Sequence, residues 1–283
     1  MGEISKNNTK IKIADWLVTE ECMLYCSFCF RPSAKSSIDP EKDKIIIKEL
    51  KESTIEGISL SGGEPLIRED VGSIAKTLYR AGKRLVLFTN AMLWEERIKD
   101  IQPYLSYIRI PLDGSNQEIT KKHRSSPEQF NKVMGFLGYS RNDFKPTVYV
   151  GTVLTKLNKE DIANIGHIIE KYSQVKKWSI SQLTLRGIGL DSSIELSVSD
   201  SEFQDITSKV IEMFPHVQIV AVDGRKRDGA CILILPNLQV VTPYGNGYAT
   251  IGNLSENSLN TILSSPLLDP QKTSQRENCY RDK

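Results

Sequence analysis

Three of the chain's five cysteines, Cys22, Cys26 and Cys29, fall within the eight residues CMLYCSFC. Thiols this concentrated usually share a job, and the candidates are a disulfide framework, a zinc site, an iron–sulfur cluster and a redox dithiol. Disulfide-framed proteins are short and cysteine-dense, which a chain of 283 residues with five cysteines is not. Structural zinc wants a fourth Cys or His, usually at a second paired spacing. Cys231, Cys279, His123, His167 and His216 each stand without a paired partner. A dithiol explains Cys26 and Cys29 and leaves Cys22 idle. Three thiolates from one C-x3-C-x2-C loop can ligate three irons of a cubane and leave the fourth iron open to an exogenous ligand, whereas a fully ligated cubane takes four cysteines.

Such a loop needs a scaffold, and the composition allows an ordinary one. The hydrophobic fraction is 39% and the charged fraction 25%, enough to bury a full core. Net charge is +2, and KKHR (121–124) and GRKRDG (224–229) are the only basic concentrations. Both read as solvated surface and make no case for nucleic acid. The N-terminal stretch MGEISKNNTKIKIADW is polar, and no run approaches the ~20 apolar residues of a membrane span. A cytoplasmic protein without membrane attachment is the expectation.

Apolar runs alternate with amphipathic stretches. Strands are expected at IADWLVT (13–19), GISLSG (57–62), RLVLFTN (84–90), YIRIPLDG (107–114), TVYVGTVLT (147–155) and KKWSISQLT (176–184), with helical spacing between them. The fold class is therefore α/β, a partial (β/α)6 TIM-type barrel. Residues from 216 onward, with VQIVAV, CILILP, LQVVTP and a glycine-rich loop YGNGYATIGN, read as a small β-rich appendage. The expected division is a core domain at 8–215 and an extension at 216–283. The cysteine loop, SGGEP, TN and LDGS all follow strands, at the end where barrels gather their chemistry.

The cysteine loop, with Phe28 before its last cysteine, SGGEP (61–65) and TNA (89–91) together resemble the radical S-adenosylmethionine superfamily. The resemblance spans residues 13 to about 185. It implies that Cys22, Cys26 and Cys29 hold a [4Fe–4S] cluster whose open iron takes S-adenosyl-L-methionine. It implies reductive cleavage of that cofactor to a 5′-deoxyadenosyl radical, with a reductant such as flavodoxin or ferredoxin. Gly62 and Gly63 would let backbone approach the methionine moiety, and Glu64 would accept from its ammonium. Thr89 and Asn90 match positions that reach the ribose or methionine, with a helix N-cap as the plainer reading. Arg124 lies where relatives carry an arginine for the cofactor carboxylate, and Asp113 either holds ligand or caps a turn. Pro111 stands where many relatives have serine.

The tail resembles a SPASM-type extension without its auxiliary-cluster cysteines, Cys231 and Cys279 being too few for a second cluster. Several stretches, TKLNKEDI and KKWSISQ among them, resemble the viperin-like nucleotide dehydratases. A small-molecule substrate follows, with a nucleotide among the candidates. Lys35, Arg186, Arg225, Lys226 and Arg227 are the bases available to hold it. The alternatives are a peptide- or metabolite-modifying radical enzyme and a non-catalytic iron–sulfur sensor.

Overall fold

The computed structural model describes residues 11–224 and 227–273. Residues 8–10 of the expected core domain, together with Arg225, Lys226 and Cys279, lie outside the described residues. The chain opens with β1 (Ile13–Thr19), buried at every position, as a parallel strand covered on both faces must be. Then α1 (Pro40–Glu52) begins behind an Asp39 cap, whose carboxylate accepts from the Glu41 and Lys42 amides. β2 (Gly57–Gly62), α2 (Val71–Arg80), β3 (Arg84–Phe88), α3 (Trp94–Ile101) and β4 (Tyr107–Pro111) continue the alternation. Two helices, α4 (Gln117–Arg124) and α5 (Gln129–Tyr139), lead to β5 (Thr147–Leu154), α6 (Ile162–Ile169) and β6 (Val175–Gln182). α7 (Leu190–Leu196) and α8 (Asp200–Met213) precede β7 (Ile219–Val222). Last come β8 (Leu233–Ile234), β9 (Gln239–Tyr244), β10 (Gly247–Asn253) and α9 (Leu259–Ile262).

β1 to β7 pair in chain order, every pair parallel, in the partial TIM-type barrel expected of the β/α alternation. One face of the strands carries Trp16, Ile58, Leu60, Leu85, Leu87, Ile108, Ile110, Val150, Trp178 and Ile180 into a single core with the helices. The alternate residues face the barrel interior. There Ile13, Val86, Tyr107 and Tyr149 form a small apolar floor with Phe88 packed against it.

The C-terminal region departs from the reading that treats 216 onward as one group. VQIVAV does not join the later strands: β7 lies parallel on β6, with Trp178 opposite Ile219. β8 lies parallel on the opposite edge, against β1, and β9 and β10 continue from it antiparallel. YGNGYATIGN is a hairpin with β10 as its second arm, because Gly247 pairs Tyr244 and leaves a two-residue turn. The ten strands of the described residues form one sheet, and Ile232, Ile234, Val240, Leu259 and Ile262 share the core of the barrel helices. No described helix is long and apolar enough to cross a membrane.

Candidate active site

Four strand-end loops converge on the cysteine loop, and each is tied to it by named atoms. The β2 end supplies Gly62 and Gly63. Gly62 has φ +135°, and a Cβ on it would stand 2.2 Å from Thr19 O; one on Gly63 would stand 2.0 Å from Glu21 O. Gly63 N donates to Thr19 O and Glu64 N to Glu21 O, both at 2.8 Å. The two glycines thus let the β2 turn lie against the backbone that enters the cysteine loop.

Glu64 is fully buried, and its carboxylate accepts from three protein donors. Leu66 N and the Thr89 hydroxyl donate to Oε1 at 3.0 and 2.7 Å, and Asn90 N donates to Oε2 at 2.6 Å. Burial pushes its carboxyl up to about 7 although these donors pull the other way. Thr89 and Asn90 do not cap α3, whose N-terminal Leu93 has no side-chain cap. Asn90 turns Nδ2 to Cys22 Sγ at 3.6 Å and to Met23 Sδ at 3.3 Å.

The β4 end supplies Asp113 and, through α4, Arg124. Arg124 Nε and Nη2 both reach Asp113 Oδ2 at 2.6 Å, and Nη1 reaches Cys26 Sγ at 3.7 Å. Burial opposes the guanidinium charge, and the Asp113 carboxylate outweighs it, raising the pKa. Asp113 Oδ1 accepts from Val153 N at 2.7 Å, so it joins β5 to α4 rather than merely capping its own turn. Phe28 is buried between this guanidinium, 5.1 Å over its ring, and the edge of His123 at 5.8 Å. His123 Nδ1 donates to Ile119 O, which can only accept, so Nε2 accepts from the Thr155 hydroxyl at 2.7 Å. Burial pushes the pKa of this imidazole down. KKHR is accordingly the last turn of a helix, and His123 and Arg124 leave the surface for the loop.

Sequence reasoning missed the fourth tie, RGIGL after β6. Gly189 N donates to Cys29 O at 2.9 Å, and Ile188 N to Arg31 O at 3.2 Å. A Cβ on Gly189 would stand 2.5 Å from Cys29 N, and one on Gly187 2.3 Å from the Phe30 carbonyl. Two glycines at i and i+2 beyond a strand were the available signal. From the tail, the Tyr248 hydroxyl donates to Phe30 O. Cys231 packs beside Leu17, Leu233 and Tyr248. Of the expected bases, Lys35 is exposed, Arg186 is buried and paired with Asp228, and Arg227 lies within electrostatic reach of Tyr248.

The donor set suits a cluster. Burial pushes the Cys22 and Cys26 thiols up, and each of the three sulfurs feels another, so they share one space. The N–H groups of Asn90, Leu24 and Arg124 already face Cys22 and Cys26, as thiolate ligands require. Among the described residues no three Cys, His, Asp or Glu side chains are placed to hold a single metal ion. A cubane asks for a different geometry, one thiolate per iron.

A parallel partial barrel with a three-thiol loop at the strand ends defines a class of proteins that mount a metal–sulfur group in a barrel mouth. The chain belongs to the Radical SAM superfamily, whose model matches residues 16–168. That superfamily's cofactors are a [4Fe–4S] cluster and S-adenosylmethionine. An AdoMet-dependent heme synthase of Methanosarcina barkeri is 28% identical over 68% of this chain, which spans only 56% of that relative's length. A GTP 3′,8-cyclase of Aquifex aeolicus is 27% identical over 93% of this chain and 85% of its own. An S-adenosylmethionine-dependent nucleotide dehydratase of Flammeovirga pacifica is 24% identical over 74% of this chain and 76% of its own. In fold, the chain is similar to Streptococcus suis SuiB bound to precursor peptide SuiA. The TM-score is 0.74 at 14% identity, over 94% of this chain and 67% of that one.

Proposed function

We propose that this chain is a radical enzyme that uses S-adenosylmethionine to take a hydrogen atom from a small molecule, and that the small molecule is a nucleotide. The observation that carries the reading is the clasp itself: loops after β2, β3, β4 and β6 all close on one three-thiol loop. Cys22, Cys26 and Cys29 would hold the cluster. When bound, the cluster supplies the electron that opens the cofactor's sulfonium bond to a 5′-deoxyadenosyl radical.

The protein's part is to position and to shield. Asn90 and Arg124 direct N–H groups at Cys22 and Cys26, where they stabilise thiolate charge. Gly62 and Gly63 bring backbone close to the cysteine loop, where they would leave room for the cofactor's methionine moiety. Glu64 orders Thr89 and Asn90, which donate to its oxygens, and its remaining acceptor site is available to the cofactor's ammonium. Asp113 fixes the guanidinium of Arg124, and Phe28 supports it from below. A small electron-transfer protein of the flavodoxin or ferredoxin kind would supply the electron.

Two relatives of long coverage are named for nucleotide chemistry, which supports that substrate class. A polar interior supports a polar substrate: Ser59, Ser61, Arg109, Ser179 and Ser181 occupy the strand positions that alternate with the outer core. The test is anaerobic incubation of reconstituted enzyme with dithionite, S-adenosylmethionine and a panel of nucleotides. A burst of 5′-deoxyadenosine with one nucleotide supports the reading. Identical background with every nucleotide, beside a burst with a peptide or another metabolite, assigns a different substrate class.

A further inference from the structure

The guanidinium of Arg109, on the interior face of β4, makes no hydrogen bond or ion pair among the described residues. Its guanidinium carbon lies 5.6 Å from the Phe88 ring centroid, a contact that fixes the group without neutralising it. Its direction is set by Gly151. A Cβ there would meet Arg109 Nε at 2.5 Å and Nη2 at 2.6 Å, so the side chain runs across β5 through the space that glycine leaves. Gly151 is level with Pro111 on β4 and Ser179 on β6, whereas Arg109 itself is level with Tyr149. The guanidinium therefore stands one layer above its own Cα, over the aromatic floor and toward the cysteine end of the strands.

Farther along the same wall is a second incomplete guanidinium. Arg186 is 5% exposed; Nη2 reaches Asp228 Oδ1 at 3.2 Å, while Nε and Nη1 are buried without a hydrogen-bond partner among the described residues. Native interiors rarely leave such donors unanswered. Arg186 precedes the Gly187–Gly189 clasp and so stands beside Cys29 and Phe30. Between the two arginines β6 presents Ser179 and Ser181.

We propose that Arg109 and Arg186 bind the anionic group of the substrate, Arg109 from the barrel wall and Arg186 from its rim, and that this group is the phosphate chain of a nucleotide. The proposal rests on the reading of the chain as a nucleotide-acting radical enzyme. Two separated guanidiniums with hydroxyls between them suit an extended polyanion better than a single compact charge. A carboxylate offers the same chemistry, so the experiment carries both.

Anaerobically reconstituted enzyme with S-adenosylmethionine is titrated calorimetrically with the four common nucleoside triphosphates, their nucleosides, and succinate. The wild type should bind a triphosphate at least tenfold more tightly than its nucleoside, less so at high salt. Arg109→Met and Arg186→Met should each remove tenfold or more of that preference, with Arg109→Lys intermediate. Iron content and affinity for S-adenosylmethionine should be unchanged, and thermal midpoints equal or higher because an under-compensated buried charge is gone. A merely structural arginine would lower the midpoint and leave the preference intact, which overturns the proposal. So does a wild type that prefers succinate or binds no anion. If the enzyme neither holds iron nor cleaves S-adenosylmethionine, it is the underlying reading that fails.

Discussion

At Glu64 residue type and residue use diverge. A carboxylate after two glycines in a cofactor-binding turn invites contact with the cofactor's ammonium, yet all its hydrogen bonds run to Leu66, Thr89 and Asn90. Glu64→Gln keeps the shape and turns an amide donor toward a donor. It should cost about 1–3 kcal/mol of stability and weaken S-adenosylmethionine binding in the same variant. Lost affinity with an unchanged thermal midpoint would instead mean direct contact with the ammonium. The pH dependence has a definite sign. The folded carboxyl is raised from 4.5 to about 7, so the folded chain holds that proton more tightly than the unfolded one. Its contribution is greatest below pH 4.5 and is lost as pH rises to about 7. Across that window the denaturation midpoint of the wild type should fall more steeply with rising pH than that of Glu64→Gln, which lacks the titrating group; equal slopes would remove Glu64 from the pH dependence. The cysteines, Gly62, Gly63 and Asn90 were legible because type and spacing mark them. The commitments of Glu64 and Arg124 were not, since partners such as Asn90 and Cys26 meet them only in three dimensions.

Among the elements, the cysteine loop is shaped less by itself than by the four loops that hold it. Gly189→Ala would push a methyl to within 2.5 Å of Cys29 N, a backbone atom that cannot move without moving the ligand. It should cost about 1–3 kcal/mol and lower iron uptake, although Gly189 is remote from Cys29 in sequence. Gly138→Ala, within α5 and with nothing within 4 Å, is the control and should leave iron content intact and stability equal or slightly raised. Normal iron content in Gly189→Ala would remove the β6 loop from the clasp. The SGGEP turn could be read from its glycines, but RGIGL could not be paired without the sheet order. α4 was missed because one eight-residue helix ending in KKHR looks like exposed charge; its cations suit a helix C-terminus, and Arg124, with the neutral His123, turns inward.

For the whole molecule, β/α alternation made the barrel readable, since each long apolar run had only one place to go. The last third was harder. VQIVAV, CILILP and LQVVTP are too short for their period to name a neighbour, and tertiary adjacency sent the first to β6 and the second to β1. A chain ending at residue 215 would bare both edges and remove Ile232, Ile234, Val240 and Leu259 from the shared core. It should lose cooperative unfolding and become insoluble, checked by calorimetry and gel filtration; a soluble, cooperatively melting fragment would restore an independent extension at 216–283. The chemistry of the whole molecule stands on the three thiols. After anaerobic reconstitution the wild type should carry about four irons and four sulfides and form 5′-deoxyadenosine from S-adenosylmethionine under dithionite. Cys22→Ala, Cys26→Ala and Cys29→Ala should each lose both properties. Stoichiometric zinc with no iron uptake by the wild type, or 5′-deoxyadenosine formation that survives these substitutions, would contradict it.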